Sequence, residues 1–247
     1  MRIDRSPHSI EPIAWHPELA YAIGLIATDG NLSMDGRHIS LTSSDIEQLT
    51  NFKKCLGTNA KLARNAPGSF SRNPSHRVQF SDSKFYRQLL AVGLSPRKTG
   101  SLGALQIPSL FFRDFLRGVI DGDGSIVLYT DRYRSYKGTR YEYLRAYVTI
   151  TSASLPFLQW IHATLQQGLS VRGSVLKQSG QPHAIRPIWR LRFAKTDSIK
   201  LFHWIYYSKH IPCLMRKRSL AEHALATFQL FRDKRCKWPQ AHSPSSG

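Results

Sequence analysis

One short pattern occurs twice in this chain. Ala22-Ile23-Gly24-Leu25-Ile26-Ala27-Thr28-Asp29-Gly30 recurs as Leu116-Arg117-Gly118-Val119-Ile120-Asp121-Gly122-Asp123-Gly124, so that position 29 maps onto position 123, a shift of 94 residues. Self-similarity at a fixed spacing restricts the fold more than any composition does, because it implies one supersecondary unit built twice. Each copy ends an apolar run at helical spacing: Leu19, Ala22, Ile23 and Ile26 in the first, Phe112, Phe115, Leu116, Val119 and Ile120 in the second. Pro17 suits the first turn of the first helix, and Pro108 closes the segment before the second.

The likeness continues downstream. His38-Ile39-Ser40-Leu41-Thr42-Ser43 and Tyr147-Val148-Thr149-Ile150-Thr151-Ser152 alternate as half-buried strands do. A helix is expected after each. In the first, Ser44 and Glu47 form a capping box ahead of a buried stripe of Ile46, Leu49, Phe52 and Leu56. In the second, Ser154 caps, Pro156 sits in the first turn, and Leu155, Leu158, Ile161 and Leu165 make the stripe. Gly57 and Gly168 stand where left-handed C-caps belong. Two further strands follow in each half, near 61–64 and 77–80, then 171–176 and 188–193, with helices over 84–92 and 199–207. Each half closes on a basic turn, Leu94-Ser95-Pro96-Arg97-Lys98 or Cys213-Leu214-Met215-Arg216-Lys217. The expected architecture is α+β: two pseudo-symmetric αββαββα repeats with antiparallel sheets, over residues 1–108 and 109–239, and a disordered tail at 240–247.

The repeated Asp-Gly endings carry the chemistry. A carboxylate in the last turn of a helix faces the negative end of the macrodipole, which disfavours it. Gly24 and Gly118 lie six residues before the terminal glycines, where a helix interior normally avoids Gly at a cost of about 1 kcal/mol. Their use is close approach: two helices packed at these small residues bring Asp29 and Asp123 together, with the backbone carbonyls of Thr28 and Gly122 beside them. Such an oxygen-rich set repels itself unless a hard divalent cation sits in it, and Mg²⁺ (or Mn²⁺) with retained waters is the expected ion.

Charge indicates the partner. Lys and Arg number 35 against 16 Asp and Glu, a formal net charge of +19. A surplus of that size destabilises a compact chain by self-repulsion, and nucleic acid is the first candidate to neutralise it. Residues 1–110 carry 13 basic and 8 acidic groups, net +5, and residues 111–247 carry 22 and 8, net +14. Between Tyr129 and Val148, Arg132, Arg134, Lys137, Arg140 and Arg145 are set among six tyrosines. That pattern suits a β-ribbon with one face for phosphates; a solvated hairpin with cross-strand Tyr pairs gives the same pattern. Arg37, Arg77, Lys177, Arg190 and Arg192, on or beside the other strands, complete the candidate DNA-binding set.

Other classes are unsupported. The three cysteines, Cys55, Cys213 and Cys236, are too few for a disulfide framework or zinc cage. The histidines are dispersed, and no phosphate-cradling glycine loop is present. No apolar run reaches the ~20 residues that span a bilayer, and Met1-Arg2-Ile3-Asp4-Arg5 leads into no signal core, so an intracellular location is expected.

The two helix-end motifs resemble the paired motifs of the LAGLIDADG homing endonucleases in their single-chain, two-motif form, and the likeness spans residues 12–235. The resemblance implies that Asp29 and Asp123 are metal-binding catalytic residues, that Lys98 and Lys217 lie in the active site, and that Ser43 and Ser152 position water. Arg97 and Arg216 compete with the neighbouring lysines for the phosphate-facing role. Ala27 and Thr28 depart from the family's commoner Asp-Ala pair. The implied activity is a staggered double-strand break in duplex DNA by a monomer. An intron-RNA maturase and a non-cutting DNA-binding regulator are the alternatives on the same scaffold.

Overall fold

Gly24 and Gly118 stand in helix interiors, where glycine carries a cost that a close approach can offset. In a computed structural model, which describes residues 11–65, 74–98, 100–134, 140–178 and 187–236 (side chains of 132–144 and 230–236 excepted), what approaches each is the other copy of the motif. Helix α1 (Pro17–Asp29) begins with Pro17 in its first turn and His16 accepting from the Leu19 N–H. Helix α4 (Phe112–Asp123) follows a 3₁₀ turn at Ser109–Phe111. The two cross at Gly24 and Gly118. A Cβ on Gly24 would stand 2.2 Å from the Phe115 carbonyl oxygen, and one on Gly118 would stand 2.2 Å from that of Tyr21. Residues 20–27 of α1 are all buried, so this helix is surrounded by protein, not amphipathic.

Around this pair the chain builds the same unit twice. The first sheet contains β1 (Gly30–Leu32), β2 (His38–Ser43), β3 (Leu62–Arg64) and β4 (His76–Ser81), all antiparallel in the order β1-β2-β4-β3. The second contains β5 (Gly124–Arg134), β6 (Arg140–Ser152), β7 (Ser174–Lys177) and β8 (Trp189–Phe193), in the matching order β5-β6-β8-β7. Each sheet buries one face. Ile39, Leu41 and Val78 point inward from the first, and Ala146, Val148, Ile150, Leu191 and Phe193 from the second. Helices α2 (Ile46–Leu56), α3 (Ser83–Val92), α5 (Leu155–Leu169) and α6 (Lys195–Ile205) cover those faces. Strands β5 and β6 are long, pairing from Gly124–Ile150 out to Arg134–Arg140, which is the ribbon expected from the Tyr-rich stretch.

Three local expectations are corrected. Asp45, not Ser44, caps α2 by accepting from the Glu47 N–H. Ile46 is 49% exposed, and Gln48 takes its place on the buried face. Gly168 stays helical, and Ser170 forms the left-handed cap two residues later, at φ 51°. Gly57 does adopt the expected left-handed cap.

The largest correction is at the basic turn of the second half, which opens into a 22-residue helix, α7 (Met215–Cys236). Two carboxylates from elsewhere hold its start. Asp121 Oδ2 accepts from the Leu214 N–H at 2.8 Å, and Glu47 accepts from the Met215 N–H at 3.2 Å. Free N–H groups at a helix N-terminus take such acceptors readily. Glu47 belongs to the first repeat, as do Asn51, which donates to the Cys213 carbonyl, and Asp45, which pairs with Arg216 at 3.1 Å. Buried Arg117 of α4 ties down the segment before α7, donating to the Ile205 and Pro212 carbonyls and to Asp114. Cys55 and Cys213 are free and buried. Among the described residues no helix is long and apolar enough to cross a membrane.

Candidate active site at the paired helix ends

The last carbonyls of a helix have no partner inside it and present concentrated negative charge. Here two lysines answer them. Lys217 is 4% exposed, and its Nζ donates to the carbonyls of Ile120 (2.6 Å), Asp121 (2.8 Å) and Gly124 (2.7 Å) at the end of α4. Lys98 donates to the Thr28 carbonyl at the end of α1, at 3.1 Å. Burial lowers both ammonium pKa values, that of Lys217 to about 8, while the surrounding carboxylates favour the charged form. The competing arginines are elsewhere: Arg216 is engaged with Asp45, and Arg97 is exposed with a left-handed backbone, φ 57°.

Asp29 and Asp123 end α1 and α4 side by side. A Cβ on Gly122 would lie 2.9 Å from Asp29 Oδ2 and 2.0 Å from Thr28 Oγ1, so the second motif's glycine is the floor on which the first motif's carboxylate rests. Burial raises the pKa of Asp29, against the opposing pull of Gln48, Lys217 and Lys98. Burial also raises that of Asp123 to about 6, and the charge of Asp29 adds to the shift. Asp123 is exposed, yet the protein packed around its carboxylate and the neighbouring Asp29 still oppose its ionisation.

Two carboxylates that share a partly dry site, flanked by two ammonium groups, form a hard-oxygen donor set. Among the described residues no group of three or more His, Cys, Asp or Glu side chains is placed to hold a metal ion. The two carboxylates alone would suit Mg²⁺ or Mn²⁺, which keep several waters and are commonly held by one or two carboxylates plus substrate phosphates. The Thr28 carbonyl, expected as a ligand, accepts from Lys98.

Sequence reasoning missed Asp121 and Gln48. Asp121 is 1% exposed; its Oδ2 accepts from Tyr21 Oη and from the Leu214 N–H, both at 2.8 Å. Burial raises its pKa to about 6. It joins α1, α4 and α7, and so places Lys217. Gln48 donates from Nε2 to Asp29 Oδ2 at 2.7 Å. Ser43 donates to Gln48 Oε1 at 2.6 Å and itself accepts from the Asp45 N–H; through Gln48 it is one residue removed from Asp29. Ser152 accepts from the Ser154 N–H. The available signal for Gln48 was the repeat itself, since the spacing that maps Ser43 onto Ser152 sets Gln48 against Phe157.

No family model matches the sequence, and no curated protein matches it. Solved structures do. The I-LtrWI LAGLIDADG homing endonuclease bound to target DNA aligns with a TM-score of 0.56 and 12% identity, over 88% of this chain and 91% of that one. The I-SmaMI LAGLIDADG homing endonuclease bound to cleaved DNA aligns at 0.54 and 15%, over 91% and 92%. Full-length WhiA from Thermatoga maritima aligns at 0.52 and 12%, over 92% of this chain and 69% of that one. The fold is the two-repeat LAGLIDADG fold.

In this LAGLIDADG fold, each sheet leaves its second face open. On the second sheet that face carries cross-strand rows: Val127 opposite Tyr147, Ser125 opposite Thr149 and then Arg192, and Thr151 opposite Arg190. Arg190 and Arg192 are exposed, and the Arg192 guanidinium stacks 3.8 Å over the Tyr147 ring. Arg145 pairs with Asp131 at 3.1 Å, opposite Tyr129. Lys177 is exposed at the end of β7. On the first sheet the open face carries Asn31, Ser40, Thr42, Gln79 and Arg77, and exposed Arg37 lies beside Asp35 before β2. Lys137 lies outside the described residues, and Arg132, Arg134 and Arg140 are described by their strand positions alone.

Proposed function

We propose that this chain is a metal-dependent, site-specific DNA endonuclease that acts as a monomer and cuts both strands of a duplex. The observation that carries the reading is the glycine-to-glycine crossing of α1 and α4, which sets Asp29 and Asp123 together between Lys98 and Lys217. Arginines on the two open sheet faces would hold the phosphate backbone, and polar strand side chains would meet base edges. The heavier charge of the second half, +14 against +5, predicts a tighter grip on one half-site. The similar structures of I-SmaMI on cleaved DNA and of I-DmoI with DNA and Ca support the substrate and a divalent ion.

Asp29 and Asp123 would hold the cation, which supplies charge neutralisation at the scissile phosphate and an acidified water. Lys98 and Lys217, kept cationic by the carboxylates around them, would stabilise negative charge that builds on the phosphate oxygens. Incubating the protein with Mg²⁺ and a randomised duplex library, then sequencing the ends, reads cleavage, stagger and target together. Asp29→Asn is expected to abolish double-strand cutting or leave a nick; undiminished double-strand cutting by that variant overturns the proposal. A non-cutting DNA-binding role is the second reading, favoured by the basic open sheet faces, where exposed Arg190 and Arg192 would hold DNA without calling on the Asp29–Asp123 pair. Target binding by the wild type in Mg²⁺ with no strand cut decides for it.

A further inference from the structure

Gln48 is 3% exposed, and a buried primary amide needs all its polar atoms engaged. Its two ends meet different partners. The ionised Asp29 carboxylate only accepts, so the amide nitrogen must face it, at 2.7 Å. The amide oxygen takes the Ser43 hydroxyl at 2.6 Å, and Ser43 Oγ takes the N–H of the helix-capping Asp45 at 3.0 Å. A continuous chain of hydrogen bonds thus runs from the start of α2 to one oxygen of Asp29, and among the described residues no hydrogen bond reaches the other oxygen.

The second repeat begins the same chain and breaks it. Ser152 Oγ accepts from the N–H of the capping Ser154, as Ser43 does from Asp45. The next link is Phe157, whose ring packs edge-on against Phe115 and tilted against Trp160. A phenyl ring donates no such hydrogen bond. Among the described residues no hydrogen bond reaches the Asp123 carboxylate, so its orientation is set only by the backbone and the surrounding charges.

We propose that Gln48 is a positioning residue that makes the two hydrolytic sites unequal: the Asp29 site is pre-oriented, and the Asp123 site is ordered only when metal and DNA arrive. The inference rests on the endonuclease reading above. A locked ligand loses less freedom on binding, and partners of metal ligands typically change metal affinity or activity by about 10- to 100-fold when removed. The strand served by Asp29 is then cut first, and a nicked duplex accumulates before the break is complete.

The test is Gln48→Met, which keeps the volume and removes the amide. Single-turnover cleavage of the selected duplex, with the two strands labelled differently, gives each strand's rate. Mn²⁺ titration of the DNA-free protein, followed by water-proton relaxation, gives metal affinity without catalysis. The wild type is expected to show a nicked intermediate. Gln48→Met is expected to slow one strand about 10- to 100-fold relative to the other and to weaken Mn²⁺ binding in parallel. Ser43→Ala, at a half-buried position, leaves Gln48 in place but frees its amide, and it is expected to shift the strand ratio in the same direction by a smaller factor. If the wild type cuts while both variants keep its strand ratio and Mn²⁺ affinity, Gln48 only packs and this proposal falls alone. If the wild type neither cuts nor binds Mn²⁺, the endonuclease reading falls and takes the proposal with it.

Discussion

Gly118→Ala adds one methyl group at the point where the two repeats touch. The new Cβ would lie 2.2 Å from the Tyr21 carbonyl oxygen, 3.0 Å from Gly24 Cα and 3.1 Å from Leu25 N. Comfortable non-bonded contacts are ~3.5 Å, so α1 and α4 must separate by about 1 Å against backbone atoms that no rotamer change can move aside. Alanine's better helix propensity returns about 1 kcal/mol, while overpacking of a tight core costs roughly 1–3 kcal/mol or more, and all three crowding atoms belong to helix backbone. A 2.2 Å approach to backbone puts the cost at the upper end of that range or above. The net expectation is a loss of about 2 kcal/mol or more, which for a chain of this size lowers Tm by several degrees at ~2–4 °C per kcal/mol. Gly168→Ala is the matched control: the same substitution in an exposed helical position with nothing within 4 Å of the new atom. It is expected to stabilise by about 0.5–1 kcal/mol. Urea unfolding of both variants against the wild type reads the opposite signs, and strand cleavage by Gly118→Ala should fall further than stability alone explains, because Asp29 and Asp123 move apart. Equal effects of the two substitutions, or a Gly118→Ala variant within 0.5 kcal/mol of wild type, would refute the reasoning.

Asp123, raised from 3.8 to about 6, sets a pH dependence. In the unfolded chain the group loses its proton near 3.8, but in the folded, metal-free protein only near 6, so the folded state holds the extra proton in that window. Its contribution to stability therefore declines as pH rises from about 4 to 6 and is level above; the wild type minus Asp123→Asn difference in unfolding free energy, measured in chelator, should shift against the wild type across that range. Metal competes with the same proton, so at subsaturating Mn²⁺ the cutting rate should drop by about tenfold per pH unit below 6, and a flat profile from pH 5 to 7 counts against Asp123 as a ligand. Arg192→Ala, which removes the guanidinium stacked on Tyr147, is expected to weaken duplex binding at every sequence and to reduce the slope of log K against log salt by about 1. An unchanged slope means that this face does not carry the phosphates.

Much of the site was legible because the chain states it twice. The doubled Gly-to-Asp-Gly spacing specified two helices that must touch, and the structure brings Gly24 onto Gly118 as that spacing demands. Lys98 and Lys217, implied by the family resemblance at the basic turn that closes each repeat, both meet carbonyls at the helix ends. What was not legible depended on contacts between repeats. The turn at 213–217 opens a helix because Asp121 and Glu47, 93 and 168 positions away from the residues whose N–H groups they accept, supply its cap. Local pattern favoured Ile46 over Gln48 for burial, since nothing nearby showed that Asp29 was waiting for an amide.

By itself, then, the sequence determined the periodic features: two equivalent units, alternating strands with one face for a core, a basic surplus weighted to the second half, and a carboxylate at each motif's end. Those are properties of local spacing and composition, which act within a few residues. Only the tertiary structure decided the differences between the two halves: Gln48 against Asp29 where Phe157 fills the matching place, Lys217 buried on three carbonyls where Lys98 holds one, and Asp121 joining three helices where Ala27 joins none. Pseudo-symmetry repeats the backbone, but side-chain hydrogen bonds form between whichever groups the packed repeats bring within about 3 Å. No spacing along the chain encodes that.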